Sequence, residues 1–107
     1  MGQSQSSAPE SPYPALEHHT LQFQDGSSWE TQRFYDRNMM HIGVGAQATL
    51  GTYTSRHTPR GEIVYQYIPI GRDGIYTGRI YHKRGRLLLD LHSELRQVRG
   101  APCYLYQ

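Results

Sequence analysis

A mainly β fold, a small antiparallel barrel or sandwich of about six to seven strands, is predicted by three observations. Apolar and polar residues alternate with period two from His18 onward. Turn residues punctuate the alternation every ten to twelve positions or so. Tyrosine is the dominant aromatic, with nine Tyr against two Phe and one Trp, and tyrosine suits a half-buried strand with a wet hydroxyl.

The segments follow in order. "HTLQFQ" alternates Leu21 and Phe23 with polar neighbours, and Asp25-Gly26 is a strong hairpin signal. "SWETQRFYD", "MHIGVGA" and "ATLGTYT" read as strands, with Gly43, Gly45 and Gly51 marking bulges or close backbone approach. Residues 55–61 form a loop. "EIVYQYI" puts Ile63, Tyr65 and Tyr67 on one face. Gly71 to Gly74 make a turn, "IYTGRIYH" a strand, Lys83 to Gly85 a tight turn, and "RLLLDLH" another strand. Over Asp90 to Val98, Leu91, Leu95 and Val98 recur at helical spacing, which predicts one short C-terminal helix stopped by Gly100 and Pro102. "CYLYQ" is a last strand or an ordered tail.

The chain has 107 residues, 36% hydrophobic, with a mean hydropathy of −0.71. That is enough for one domain with a modest core. Domains of this size commonly gain stability by association, so a homo-oligomer or a protein partner is expected. The single cysteine, Cys103, rules out an intrachain disulfide and points to a reducing compartment. The longest apolar runs are three or four residues, too short for a spanning helix. No secretory signal pattern opens the chain.

Residues 1–16 read as a disordered arm and 17–107 as the β-rich domain. The opening "MGQSQSSAPESPYP" has three prolines and no large aliphatic residue, and such a composition cannot offset its ordering entropy by burial. Met1-Gly2 with Ser6 matches the N-myristoylation pattern, so Gly2 is a candidate lipidation site. One myristoyl chain holds a membrane only marginally and needs a second signal.

Charge supplies that second signal. Residues 1–54 carry two Arg against five acids, and residues 55–107 carry nine Lys or Arg against four acids. Ten of the eleven cations are Arg, which grips phosphate as a planar fork. The densest stretch is a hairpin with Arg79, Lys83, Arg84 and Arg86, and with Tyr76 and Tyr81 beside it. Such a hairpin can lie on anionic headgroups or grip RNA while a ring stacks on a base. The reading favoured is a non-enzymatic, membrane-peripheral binding, adaptor or matrix-like protein at the inner, cytoplasmic face of a membrane. The alternative is an RNA-binding β domain. Gly2 at one end and Gln107 at the other fit excision from a viral polyprotein cut between Gln and Gly.

Six histidines invite a metal reading. His18 and His19 are adjacent and point to opposite faces of a strand. The other four lie on separate elements without acidic or thiol partners at ligand spacing, so no metal and no cofactor are expected. No phosphate-binding loop or dinucleotide fingerprint occurs.

The string His41-Ile42-Gly43-Val44, followed by His57 and then Cys103, resembles the His-box proteins of the lecithin:retinol acyltransferase type, a group that includes some picornaviral proteins. The resemblance covers four contiguous residues and the order of the groups. It implies a Cys–His hydrolase in which an imidazole activates Cys103. The family places its cysteine after an asparagine at the start of a helix. Here Cys103 follows Pro102 and four residues remain, which leaves no helix to lower its pKa.

Overall fold

The computed structural model describes residues 15–107. Eight strands form a closed up-and-down barrel: β1 (Thr20–Asp25), β2 (Ser28–Phe34), β3 (Met39–Ile42), β4 (Thr49–His57), β5 (Ile63–Pro69), β6 (Tyr76–Lys83), β7 (Arg86–His92) and β8 (Gln97–Tyr106). Each strand pairs antiparallel with the next. β1 pairs with β8 from Thr20↔Tyr106 to Phe23↔Cys103, which closes the sheet on itself. The expected β class holds, as a barrel rather than a sandwich, and the strand count is eight instead of six to seven.

The expected C-terminal helix is absent. Asp90–His92 completes β7, a turn follows, and Gln97 opens β8. The turn is closed by the Ser93 N–H donating to the Arg96 carbonyl at 2.8 Å, while the Ser93 hydroxyl oxygen accepts from the Leu95 N–H. Leu91 and Val98 face each other across the hairpin, and Leu95 is 87% exposed at its tip. The helical spacing of these three residues therefore marks no common face.

β8 also carries the bulge that obscured it. Leu91 pairs with Val98 and Leu89 with Ala101, so Arg99 and Gly100 together stand opposite Asp90. The extra residue restores the phase, and Val98, Ala101 and Cys103 all face inward. Gly100 takes φ 60° there and its N–H donates to Asp90.

The interior is filled rather than hollow. Leu21, Phe23, Phe34, Met40, Leu89 and Leu91 are buried from all sides of the barrel. Leu16, assigned by the sequence to the end of the arm, is fully buried too. A turn at 15–18 brings it there, held by the Leu16 N–H to the Ser55 hydroxyl at 3.1 Å and the His19 N–H to the Leu16 carbonyl at 2.9 Å. Leu16 plugs the end of the barrel at which β1 begins. The remainder of the expected arm, with Gly2, lies outside the described residues.

Tyr65 and Gly78 are register partners on β5 and β6. The Tyr65 ring lies flat over the glycine, so an added Cβ would stand 2.3 Å from the ring. Phe34 packs edge-on against the same ring at 5.4 Å. The Tyr65 hydroxyl donates to Gln32 Oε1 at 2.8 Å, and Gln32 Nε2 donates to the Tyr67 hydroxyl at 3.2 Å. Gln32 is 1% exposed, and its amide is satisfied by these two tyrosines inside an otherwise apolar core. Gly78→Ala is expected to push the Tyr65 ring off this site and lower stability by about 1–3 kcal/mol. Urea unfolding followed by circular dichroism measures this; a midpoint unchanged from wild type would show that the ring is free to move.

Candidate functional site

Alternating up-and-down strands give the barrel two ends. One holds the β2–β3, β4–β5 and β6–β7 connections and the entry of the chain at residue 15. The other, the mouth, holds the β1–β2, β3–β4, β5–β6 and β7–β8 connections.

The β6–β7 hairpin tip lies at the plugged end. Lys83 pairs with Arg86 across a two-residue turn, Arg84 at φ 54° and Gly85 at φ 76°. Positive φ at both central positions matches the right-handed twist of the flanking strands. Lys83, Arg84 and Arg86 are exposed. Arg37, Arg56 and Arg60, exposed on neighbouring elements, join them at this end. Among the described residues the acidic side chains there are Glu17, Asp36 and Glu62, so cations outnumber them. Glu62 is already engaged by Arg79 at 3.2 Å.

The sequence-predicted hairpin residues therefore divide. Lys83, Arg84 and Arg86 form one exposed group. Arg79 and Tyr81 belong to a structural network on the outer wall. Arg79 donates to Asp90 at 2.9 Å and to Glu62, and its guanidinium lies 4.2 Å over the Tyr81 ring. The Tyr81 hydroxyl donates to Asp90 at 2.9 Å. Burial pushes the Asp90 carboxyl up, but hydrogen bonds from Arg79, the Gly100 N–H and Tyr81 outweigh it and hold Asp90 below its ordinary value. Tyr76 sits at the far end of β6, at the mouth, and stacks on Tyr67 with centroids 4.8 Å apart and planes 7° apart. It shares no site with Lys83.

The mouth was not anticipated. A cavity of about 230 Å³ opens there, lined by Glu30, Ile42, Thr49, Tyr67, Pro69, Arg72, Tyr76 and Arg96. Arg96, from the β7–β8 turn, reaches across to β1 and β2. It is bound by both oxygens of Glu30 and by Asp25 at 2.6 Å. The Glu30 hydrogen bonds raise the guanidinium further above its ordinary value. No sequence signal links Glu30 to Arg96, 66 positions away; only barrel closure brings them together.

Cys103 faces the core, and burial pushes its thiol up to about 11. A Cys–His nucleophile needs the opposite shift. His41 lies instead against Tyr35, 3.1 Å from its hydroxyl, and His57 is exposed at the end of β4. Among the described residues, no group of three or more His, Cys, Asp or Glu could hold a metal ion, and no helix is long and apolar enough to cross a membrane.

No family model, curated protein or solved structure matches this chain.

Buried acids of this kind set a pH limit. Burial raises Tyr53 to about 12 and Cys103 to about 11, and moves Tyr65 and Tyr67 well above the ordinary tyrosine value. The unfolded chain releases these protons first, near pH 9 for the thiol and pH 10 for the phenols. Stability is therefore full below pH 9, and is lost progressively as pH rises through 9–12. Urea midpoints at fixed pH measure this; a midpoint flat to pH 12 would contradict the burial.

Proposed function

We propose that this protein is a non-enzymatic, membrane-peripheral binding module that rests its plugged, basic end on an anionic lipid surface. One observation carries the reading: three hairpins from separate parts of the chain place Arg37, Arg56, Arg60, Lys83, Arg84 and Arg86, in turns or at strand ends, at a single barrel end. Each Lys or Arg held near an anionic leaflet contributes about 1 kcal/mol. A group of this size supports binding without deep insertion.

Backbone geometry adds weight. Arg37 at φ 56° and Arg84 at φ 54° occupy the left-handed region. Gly fits there without a Cβ clash, and Asn offsets it with local hydrogen bonds, whereas other side chains lose about 1–2 kcal/mol. Two arginines at strained loop tips on one end fit a surface selected for charge rather than for turn stability.

The chain also enters the barrel at this end, through residue 15. Gly2, the modification site expected from the sequence, lies outside the described residues, and a myristoyl group on it would add a hydrophobic contact to the ionic one. Lipid and basic surface would then act together, since one myristoyl chain alone binds a membrane only marginally.

Vesicle co-sedimentation of the full chain tests the reading. Binding to vesicles containing phosphatidylserine is expected, with little to pure phosphatidylcholine and a steep fall as salt rises. The double variant Arg84→Gln/Arg86→Gln loses about 2 kcal/mol, roughly 30-fold in affinity. Binding that ignores salt or lipid charge contradicts the proposal. So does tighter, salt-sensitive binding to single-stranded RNA than to the vesicles, which would favour the nucleic-acid reading. Labelled myristate fed to cells, with Gly2→Ala as control, tests the lipid separately.

A further inference from the structure

We propose that the barrel mouth is a binding site for a small planar aromatic anion, with one or two rings and a single carboxylate. This goes beyond the membrane reading and does not depend on it, since the mouth lies at the opposite end of the barrel.

Size sets the first bound. An apolar cavity of roughly 150 Å³ takes one benzene. The mouth cavity, at about 230 Å³, takes a one- or two-ring solute and is too small for a lipid tail. Its floor is fixed: Tyr67 is anchored by Gln32, and Gln32 by Tyr65.

Ring chemistry sets the second. Tyr65, Tyr67 and Tyr76 form a ladder of stacked rings, 5.8 Å and then 4.8 Å apart, with interplanar angles of 14° and 7°. The ladder rises from the fully buried Tyr65 to the half-buried Tyr76. Tyr67 and Tyr76 both line the cavity. Aromatic walls of this kind favour a flat ring over a branched aliphatic solute.

Charge sets the third. The ionic groups lining the cavity are Glu30, Arg96 and Arg72. Glu30 and Arg96 satisfy each other, and Asp25 adds a second acceptor for Arg96. Arg72, on the β5–β6 loop, makes no side-chain hydrogen bond or ion pair among the described residues. Its guanidinium is the one left to pair with a ligand, and its fork suits a carboxylate. Asp73 and Glu94 lie nearby but line an adjacent depression with Gly74, Ser93 and Leu95, sharing only Tyr76 with the cavity.

The test is titration of the full-length, ¹⁵N-labelled protein with naphthoate, naphthamide and naphthylmethylammonium, followed by amide chemical shifts. Naphthoate is expected to shift Ile42, Thr49 and Tyr76 saturably, and to bind about tenfold more tightly than the uncharged amide. Arg72→Gln, a change on an exposed loop, is expected to reduce naphthoate to the affinity of the amide while leaving amide shifts around the plugged end unchanged. Tyr76→Ala is expected to weaken all three probes. The proposal is overturned by a lack of saturation with naphthoate, by equal affinity for naphthoate and naphthamide in wild type, by preference for the ammonium, or by an Arg72→Gln protein that binds naphthoate as wild type does. None of these results bears on vesicle binding, so the two proposals fail separately.

Discussion

The Tyr65 ring pressed onto Gly78 is the contact on which the remaining architecture depends. A closed barrel of eight strands must fill its own interior. Here one large ring lies over the neighbouring strand position that has no side chain, and so fills the interior space a side chain at Gly78 would have taken. Its hydroxyl would be costly inside an apolar core without a partner. Gln32 supplies that partner and passes the bonding on to Tyr67. The three side chains form a polar floor near the mouth, while Leu16, Phe34 and Met40 are buried within the barrel. A plugged end and a dished end result from the same packing choice.

The two ends then diverge in charge as well as in shape. At the plugged end, cations on three hairpins outnumber acidic side chains among the described residues, and two of those cations sit in left-handed backbone. At the mouth, Asp25, Glu30, Asp73 and Glu94 face Arg72 and Arg96, and exposed Val44, Ile70, Ile75 and Leu95 stand on the surrounding loops. An electrostatic dipole of this kind orients the molecule at a charged surface before contact. It would turn the mouth outward. Within that acidic rim Asp25 and Glu30 are engaged by Arg96, and Asp73 and Glu94 line the adjacent depression, which leaves Arg72 as the local cation at the cavity.

The strand pattern was readable because most strands have one buried and one wet face. Ile63, Tyr65 and Tyr67 fall on the inner face as their alternation requires. Asp25-Gly26 and Lys83 to Gly85 make the tight hairpins that their residues demand. Only the end of β8, Cys103 to Tyr106, was legible. Its start was masked because the β7–β8 turn sets Leu91 and Val98 seven residues apart, a spacing that mimics a helix, and the bulge at Arg99 and Gly100 then breaks the strand period. Leu16 was hidden because a single apolar residue beside a proline-rich run carries no period. Of the basic hairpin, Lys83, Arg84 and Arg86 stand together as expected, since a tight turn fixes them locally. Arg79 and Tyr81 are taken up by Asp90, and Tyr76 belongs to the mouth, because strand length separates it from the tip. The Glu30–Arg96 pair was out of reach of any local pattern: it exists only once β8 closes on β1.

Orientation at a lipid surface is the most direct measure of this account. Full-length protein on bicelles containing phosphatidylserine and a nitroxide-bearing headgroup would report it through paramagnetic broadening of backbone amides. Broadening concentrated at Arg37, Arg60 and Arg84, with sharp signals at Val44, Gly74 and Glu94, is the predicted pattern. The reverse pattern, with the mouth loops broadened and the basic loops sharp, would contradict the assignment of the two ends.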